Sequence, residues 1–144
     1  MLGQPGDALL KKGSGAESIE TTVGDVLKAS SGKLLMIYLS MHDCPGCLEF
    51  TPLLVELYNE LNENGKVFEV VFMSGDKQED VFRGYWADMP WPALPFKDRR
   101  MKQVIKRFGI KGLPRLIVMN AKTYEVLHAD AVDVVTEQGP VIIE

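Results

Sequence analysis

The sequence predicts an α/β fold: a central mixed sheet with helices on both faces, preceded by a short hairpin. Three observations lead there. Strand-length, mainly apolar runs occur at Leu34–Leu39, Val67–Met73 and Leu116–Met119, as expected of strands buried on both faces. Stretches with helical spacing of apolar residues lie between them. The alternation of the two kinds of segment is that of a sheet covered on both sides. A chain of 144 residues suits one domain with one sizeable core, and residues 1–144 are taken as that domain.

Taken in order, Ala8-Leu9-Leu10 and Ile19–Val23 flank Lys12-Gly13-Ser14-Gly15 and read as a hairpin over a glycine turn. No G-K-[ST] follows these glycines, so they are a turn rather than a phosphate loop. Val23 to Ala29 is a brief helix ending in the loop Ser30-Ser31-Gly32. The first central strand, Leu34 to Leu39, leads into a long helix with Phe50, Leu54, Leu57, Tyr58 and Leu61 on one face. Glu49, Glu56, Glu60 and Glu63 face water, Pro52 is expected to kink this helix, and Asn64-Gly65 stops it. After the strand Val67–Met73, Asp76 and Glu79 have capping-box spacing ahead of a stripe of Val81, Phe82, Tyr85, Trp86 and Met89. Pro90, Pro92 and Pro95 impose an extended connection. Asp98 is placed to cap a third helix, with Met101, Val104, Ile105 and Phe108 on one side and Gly109 at its end. Leu116–Met119 and Tyr124–His128 make an antiparallel pair. In the last fourteen residues, Val132–Val135 and Val141–Ile143 fit strand or helix equally.

Composition narrows the function. The net charge of −4 disfavours nucleic-acid binding, and the basic stretch Arg99, Arg100, Lys102, Lys106 and Arg107 reads as a solvated helix face. The longest apolar run is far too short to span a membrane. The N-terminal residues have neither the basic start nor the apolar stretch of a secretory signal, so the expected address is cytoplasmic, or nuclear. There are two cysteines, Cys44 and Cys47, too close together to staple a fold.

Spacing alone leaves redox chemistry and metal binding open for such a pair. Zinc normally takes four ligands, and only His42 and His128 are available to join the cysteines; each histidine reads more simply as a surface or loop residue. The position of the pair favours redox chemistry. At the first turn of a helix, backbone N–H groups without intrahelical partners point toward the sulfur and favour the thiolate, which is the form that attacks disulfides. Pro45 fits the first helical position because its missing N–H costs nothing there. Cys44 is therefore the nucleophile and Cys47, one turn on, the resolving thiol. Gly112-Leu113-Pro114-Arg115 precedes a strand, where a proline adopting the cis form would aim the Leu113 backbone at a neighbouring site.

These residues resemble the tryparedoxin and nucleoredoxin branch of the thioredoxin superfamily. The run Tyr38-Leu39-Ser40-Met41-His42-Asp43-Cys44-Pro45-Gly46-Cys47-Leu48-Glu49-Phe50-Thr51-Pro52 is similar to that branch's Tyr-Phe-Ser-x-x-Trp-Cys-Pro-Pro-Cys-Arg-x-Phe-Thr-Pro. Phe68–Phe72, Ser74, Asp76, Tyr85, Met89-Pro90-Trp91 and Pro95-Phe96 resemble its second signature region, and Phe108-Gly109-Ile110 with Gly112-Leu113-Pro114 its final one. The resemblance covers about Lys33 to Val132 and implies a thioredoxin-like fold, dithiol–disulfide exchange without a bound cofactor, and a cis Pro114 packed on the cysteine pair. Tyr38 stands where thioredoxins proper have a buried aspartate.

The chain departs from the branch at the site itself. Asp43 replaces the tryptophan before the first cysteine and puts a carboxylate beside the thiolate. Gly46 replaces the second proline and loosens the turn. Arg115 stands where threonine follows the cis-proline; reaching the rim it would offset Asp43, and pointing away it would not. Gly75-Asp76-Lys77 keeps only the aspartate of the tryparedoxin Trp-Asp-Glu. Asp43, Pro45, Gly46, Leu113 and Pro114 are thus the residues expected to shape the site, and Asp76, Trp91 and Arg115 are candidate substrate contacts. Trp91 also reads as loop packing. The expected partners are disulfide-containing proteins and an external thiol reductant (trypanothione, glutathione or a reductase), with no nucleic acid and no membrane. The rival reading is a redox-regulated binding module with little turnover.

Overall fold

The apolar runs become the strands of one sheet. The structure, a computed structural model, describes residues 2–3, 6–12, 18–29 and 33–139. Strands β3 (Leu34–Ser40), β4 (Phe68–Ser74), β5 (Arg115–Asn120) and β6 (Val126–His128) lie in the order β4-β3-β5-β6, with a hairpin of β1 (Ala8–Lys12) and β2 (Ser18–Thr22) alongside. β3 pairs parallel with β4 and antiparallel with β5, and β5 pairs antiparallel with β6, so the sheet is mixed.

The helices are α1 (Val23–Ala29), α2 (Pro45–Leu61), α3 (Glu79–Trp86), α4 (Arg100–Phe108) and α5 (Val132–Gln138). Strand side chains alternate between faces, and here both faces are covered. Met36 and Tyr38 of β3 pack with Phe50, Leu54, Phe82, Tyr85 and Val135 from α2, α3 and α5. Their neighbours Leu35, Ile37 and Leu39 pack with Val23, Val26 and Val104 from α1 and α4. This two-sided burial explains why β3 reads as an unbroken apolar run: each of its residues from Leu35 to Leu39 faces one core or the other.

The proline-rich connection between α3 and α4 is more than a linker. Ala93 exchanges backbone hydrogen bonds with Leu10 of β1 (2.8 and 2.9 Å), while Phe72 of β4 bonds to the backbone of Pro92 and Leu94 (2.9 Å each). The extended backbone imposed by Pro90, Pro92 and Pro95 therefore joins the hairpin to the sheet. Lys12 completes the junction by donating to the Trp86 and Met89 carbonyls at the C-terminal end of α3.

One local expectation is corrected and one open reading is settled in part. The Asp76–Glu79 capping box does not form: α3 begins at Glu79, its N-cap is Gln78, and that cap makes no side-chain hydrogen bond. Asp76 is turned inward and its oxygens are taken by Ser74 and His42. The loosely patterned C-terminal segment resolves in part: Val132–Val135 is helical, because Ala131 and Val135 pack into the core beside α2. Val141–Ile143 and the turns at Gly13–Gly15 and Ser30–Gly32 lie outside the described residues. Asp98 does receive the backbone N–H of Arg100 (3.0 Å), and Gly109 closes α4 in a left-handed conformation (φ 59°).

Candidate functional site: a dithiol at the start of a helix

β3 ends at Ser40, and the chain crosses Met41-His42-Asp43 before entering α2 at Pro45. Cys44 is the N-cap of α2: its backbone is extended (φ −153°, ψ 108°), and its Sγ accepts the Cys47 N–H at 3.3 Å. A sulfur thus occupies the place usually taken by a serine or aspartate oxygen, facing N–H groups that lack helical partners. Pro45 sits in the first turn without leaving an unpaired donor. Cys44 is half-buried and Cys47 wholly buried, both as free thiols, so an incoming disulfide reaches Cys44 first.

The Leu113–Pro114 bond is cis, and the Cys44 thiol donates to the Leu113 carbonyl at 3.6 Å. Gly46 faces Pro114 closely, since a Cβ on Gly46 would lie 3.3 Å from Pro114 Cδ. Gly75 does the same for the next layer: a Cβ there would lie 3.3 Å from Leu113 Cδ1 and 3.7 Å from Met41 Sδ. Gly46 and Gly75, both departures from the branch, therefore allow the cis-proline segment to sit close against the cysteine loop.

Cys47 is set in a different environment. Burial pushes its thiol up to about 11, and the adjacent Cys44 adds to the rise; the Ser40 hydroxyl and the Met41 backbone act in the opposite direction by hydrogen bonding. Around it lies a buried chain of hydroxyls. Ser40 and Tyr85 are 2.7 Å apart, Tyr85 and Thr51 2.6 Å, and Tyr38 and Thr51 2.5 Å. Thr51 Oγ1 donates to the Cys47 carbonyl at 2.8 Å. Burial raises the pKa of both Tyr38 and Tyr85, so both remain protonated.

Other expected residues are placed elsewhere. Trp91 is not a substrate platform: it is 0 % exposed and packs edge-on against Tyr38 and Tyr58, with centroids at 6.1 and 5.4 Å. Asp76 is 7 % exposed and braces the cysteine loop from below, accepting the His42 N–H at 2.8 Å and the Ser74 hydroxyl at 2.7 Å, so it is not free to contact a substrate. Arg115 is directed to the Ala129 carbonyl (2.9 Å) and pairs with Asp130 (3.7 Å). Its charge is thus engaged at the β6–α5 connection rather than available to offset Asp43, which is exposed. Sequence reasoning missed Ser40, Thr51 and Tyr85. The one available signal was Thr51, a polar residue on the apolar face of α2 one turn after Cys47. No group of His, Cys, Asp and Glu suited to a metal ion occurs among the described residues.

This geometry defines a class, a helix-capping dithiol set against a cis-proline on a thioredoxin-like sheet, and comparison with known proteins agrees. A family model described as thioredoxin-like matches residues 32–126. Tryparedoxin of Trypanosoma brucei brucei is 40% identical over 119 residues, covering 81% of this chain and 82% of that protein. Probable nucleoredoxin 1 of Arabidopsis thaliana is 36% identical over 125 residues, covering 87% of this chain but 21% of that protein, and for Bos taurus nucleoredoxin the share is 27%. The chain therefore spans only about a quarter of the nucleoredoxins it matches. Among solved structures, tryparedoxin from Trypanosoma brucei superposes with a TM-score of 0.79 at 37% identity, covering 94% of this chain and 88% of that one. The chain belongs to the thioredoxin superfamily, in its tryparedoxin and nucleoredoxin branch.

Proposed function

We propose that the protein is a thiol–disulfide oxidoreductase that reduces disulfides through Cys44 and Cys47. The observation that carries this is the asymmetry of the pair: an accessible sulfur capping a helix, and a buried thiol one turn behind it. Cys44 attacks one sulfur of the substrate disulfide, forming a mixed disulfide and releasing the first substrate sulfur as a thiolate. Cys47 then attacks Cys44 Sγ, the second substrate sulfur leaves, and the protein holds a Cys44–Cys47 disulfide in exchange for two electrons given to the substrate. The cis-proline segment of Leu113 and Pro114 lies beside Cys44 and forms one wall for the substrate chain.

The substrates are protein or small-molecule disulfides, and an external thiol reductant restores the dithiol. A glutathione- or trypanothione-type thiol, or a reductase, fits that role; one similar structure is tryparedoxin II complexed with glutathionylspermidine. The chain acts as a single domain, in the cytoplasm or nucleus. Turnover of insulin disulfides with dithiothreitol, compared between wild type and Cys44→Ser, tests the reading: the variant is expected to fall to background. Wild-type turnover no faster than the variant's would favour a redox-regulated binding module instead, the alternative to which the exposed Asp43 lends support.

A further inference from the structure

An open groove of about 620 Å³ runs between α2 and α3, and the dithiol chemistry makes no use of it. It begins at the cysteine loop, where it is lined by His42 and by Leu48, whose N–H bonds to the Cys44 carbonyl at 3.0 Å. Leu48 is 46 % exposed, and Pro52 and Val55 extend its apolar wall along α2. Gly84 lines the α3 side; outside its own helix, a Cβ there would meet nothing within 4 Å. A glycine inside a helix weakens it, and this one leaves the groove open. The far end is acidic. Glu56 and Asp88 line it, and α2 carries Glu49, Glu56 and Glu60 without a lysine or arginine. The nearby cations are already engaged. Arg83 pairs with Glu79, and Lys12, which lies close to Asp88, is bonded to the Trp86 and Met89 carbonyls. Glu56 has no ion-pair partner among the described residues.

We propose that this groove holds an extended, basic segment of a substrate protein, the stretch that flanks its disulfide cysteine. An apolar side chain of that segment covers Leu48, Pro52 and Val55, and a lysine or arginine meets Glu56 and Asp88. The inference rests on the dithiol reading and names a substrate class for it. An α-helix rises about 1.5 Å per residue, which puts Glu56 roughly 18 Å beyond Cys44 along the axis. An extended chain advances about 3.3 Å per residue, so the basic residue falls about five positions from the substrate cysteine. The apolar wall holds the segment in place, while the acidic end selects for positive charge and rejects segments carrying carboxylates.

Two disulfide-linked peptide dimers of equal charge, reduced by the full chain in its dithiol form, test this. Both have leucine on either side of the cysteine in a glycine background. One carries its two lysines five positions from the cysteine, the other two positions from it. Wild type is expected to reduce the outer-lysine dimer about three- to fivefold faster at low salt, and Glu56→Gln to bring that ratio down about twofold. Gly84→Leu fills the groove and should bring the ratio close to one. Glu125→Gln makes the same charge change at the opposite end of β5 from Pro114 and should keep the wild-type ratio. Each ratio compares two peptides on one protein, so it does not depend on how much of a variant folds. A wild-type ratio near one would overturn the proposal, as would a ratio lowered as much by Glu125→Gln as by Glu56→Gln, or one that Gly84→Leu leaves at the wild-type value. Failure of wild type to reduce either dimer would instead overturn the dithiol reading itself.

Discussion

At the scale of single residues, charge and exposure separate the two sulfurs and their neighbours. Asp43 is exposed and adjacent in sequence to Cys44, with Arg115 committed to Asp130 and the Ala129 carbonyl. Removing its charge in Asp43→Asn is expected to speed alkylation of Cys44 by iodoacetamide about two- to fivefold at neutral pH and low salt, with the gain shrinking as salt is added. An unchanged or slower rate would show that the carboxylate does not act on the sulfur. Cys44, Cys47 and Pro114 were readable in the sequence because their roles are tied to a local pattern, a strand running into a Pro-containing helix start and a proline ahead of another strand. Ser40, Thr51 and Tyr85 were not, because they lie on three different elements and only the fold brings their hydroxyls together, although Thr51, a polar residue on the apolar face of α2, gave a hint. Asp76 misled for the converse reason: its spacing to Glu79 satisfies a capping pattern, but its position just after β4 lets it tie down the His42 backbone.

At the scale of elements, the strands and the three helices α2–α4 follow from periodicity, while their long-range joints do not. Prolines announce an extended segment but cannot indicate that Ala93 will pair with β1, a partner distant in sequence. The short valine run of α5 suits either conformation until Ala131 and Val135 find the core. Leu54, wholly buried on α2, anchors that helix to the sheet, and Leu54→Ala is expected to destabilise the protein by about 2–5 kcal/mol in urea titrations. A second joint is electrostatic. Arg100, 8 % exposed, binds Asp98 and the carbonyls of Leu2 and Ala8, tying α4 to the N-terminal segment. Hydrogen bonding from Arg100 lowers the Asp98 pKa below 3.8. A carboxylate depressed in the folded state contributes stability above its unfolded value and loses it as pH falls through the folded value. Asp98→Asn should therefore be less stable than wild type at neutral pH, with the difference narrowing as the solution is acidified below 3.8; a difference constant with pH would contradict this.

At the scale of the molecule, redox state and stability are linked through Cys47. Its thiol, raised by burial from 9.0 to about 11, binds its proton more tightly folded than unfolded. That contribution is fully present below the unfolded value and is lost as pH rises through the folded one. The reduced protein should lose stability across the interval from 9.0 to about 11, more than the oxidised protein, in which Cys47 carries no proton. Urea midpoints of both forms on either side of that interval measure the difference, and parallel curves would count against it. Both halves of the site hang from neighbouring strands: β3 ends at Ser40 and leads directly to the cysteine loop, and β5 begins at Arg115, just after the cis-proline.

The division of labour between the cysteines is tested most directly by trapping. A Cys47→Ser variant mixed with a disulfide-containing protein should accumulate a mixed disulfide, and mass spectrometry of the digested adduct should place the link at Cys44. Wild type should pass through the same species without accumulating it. A link to Cys47 in a Cys44→Ser variant, formed as fast as the Cys44 link forms in Cys47→Ser, would contradict the assignment of Cys44 as the attacking sulfur.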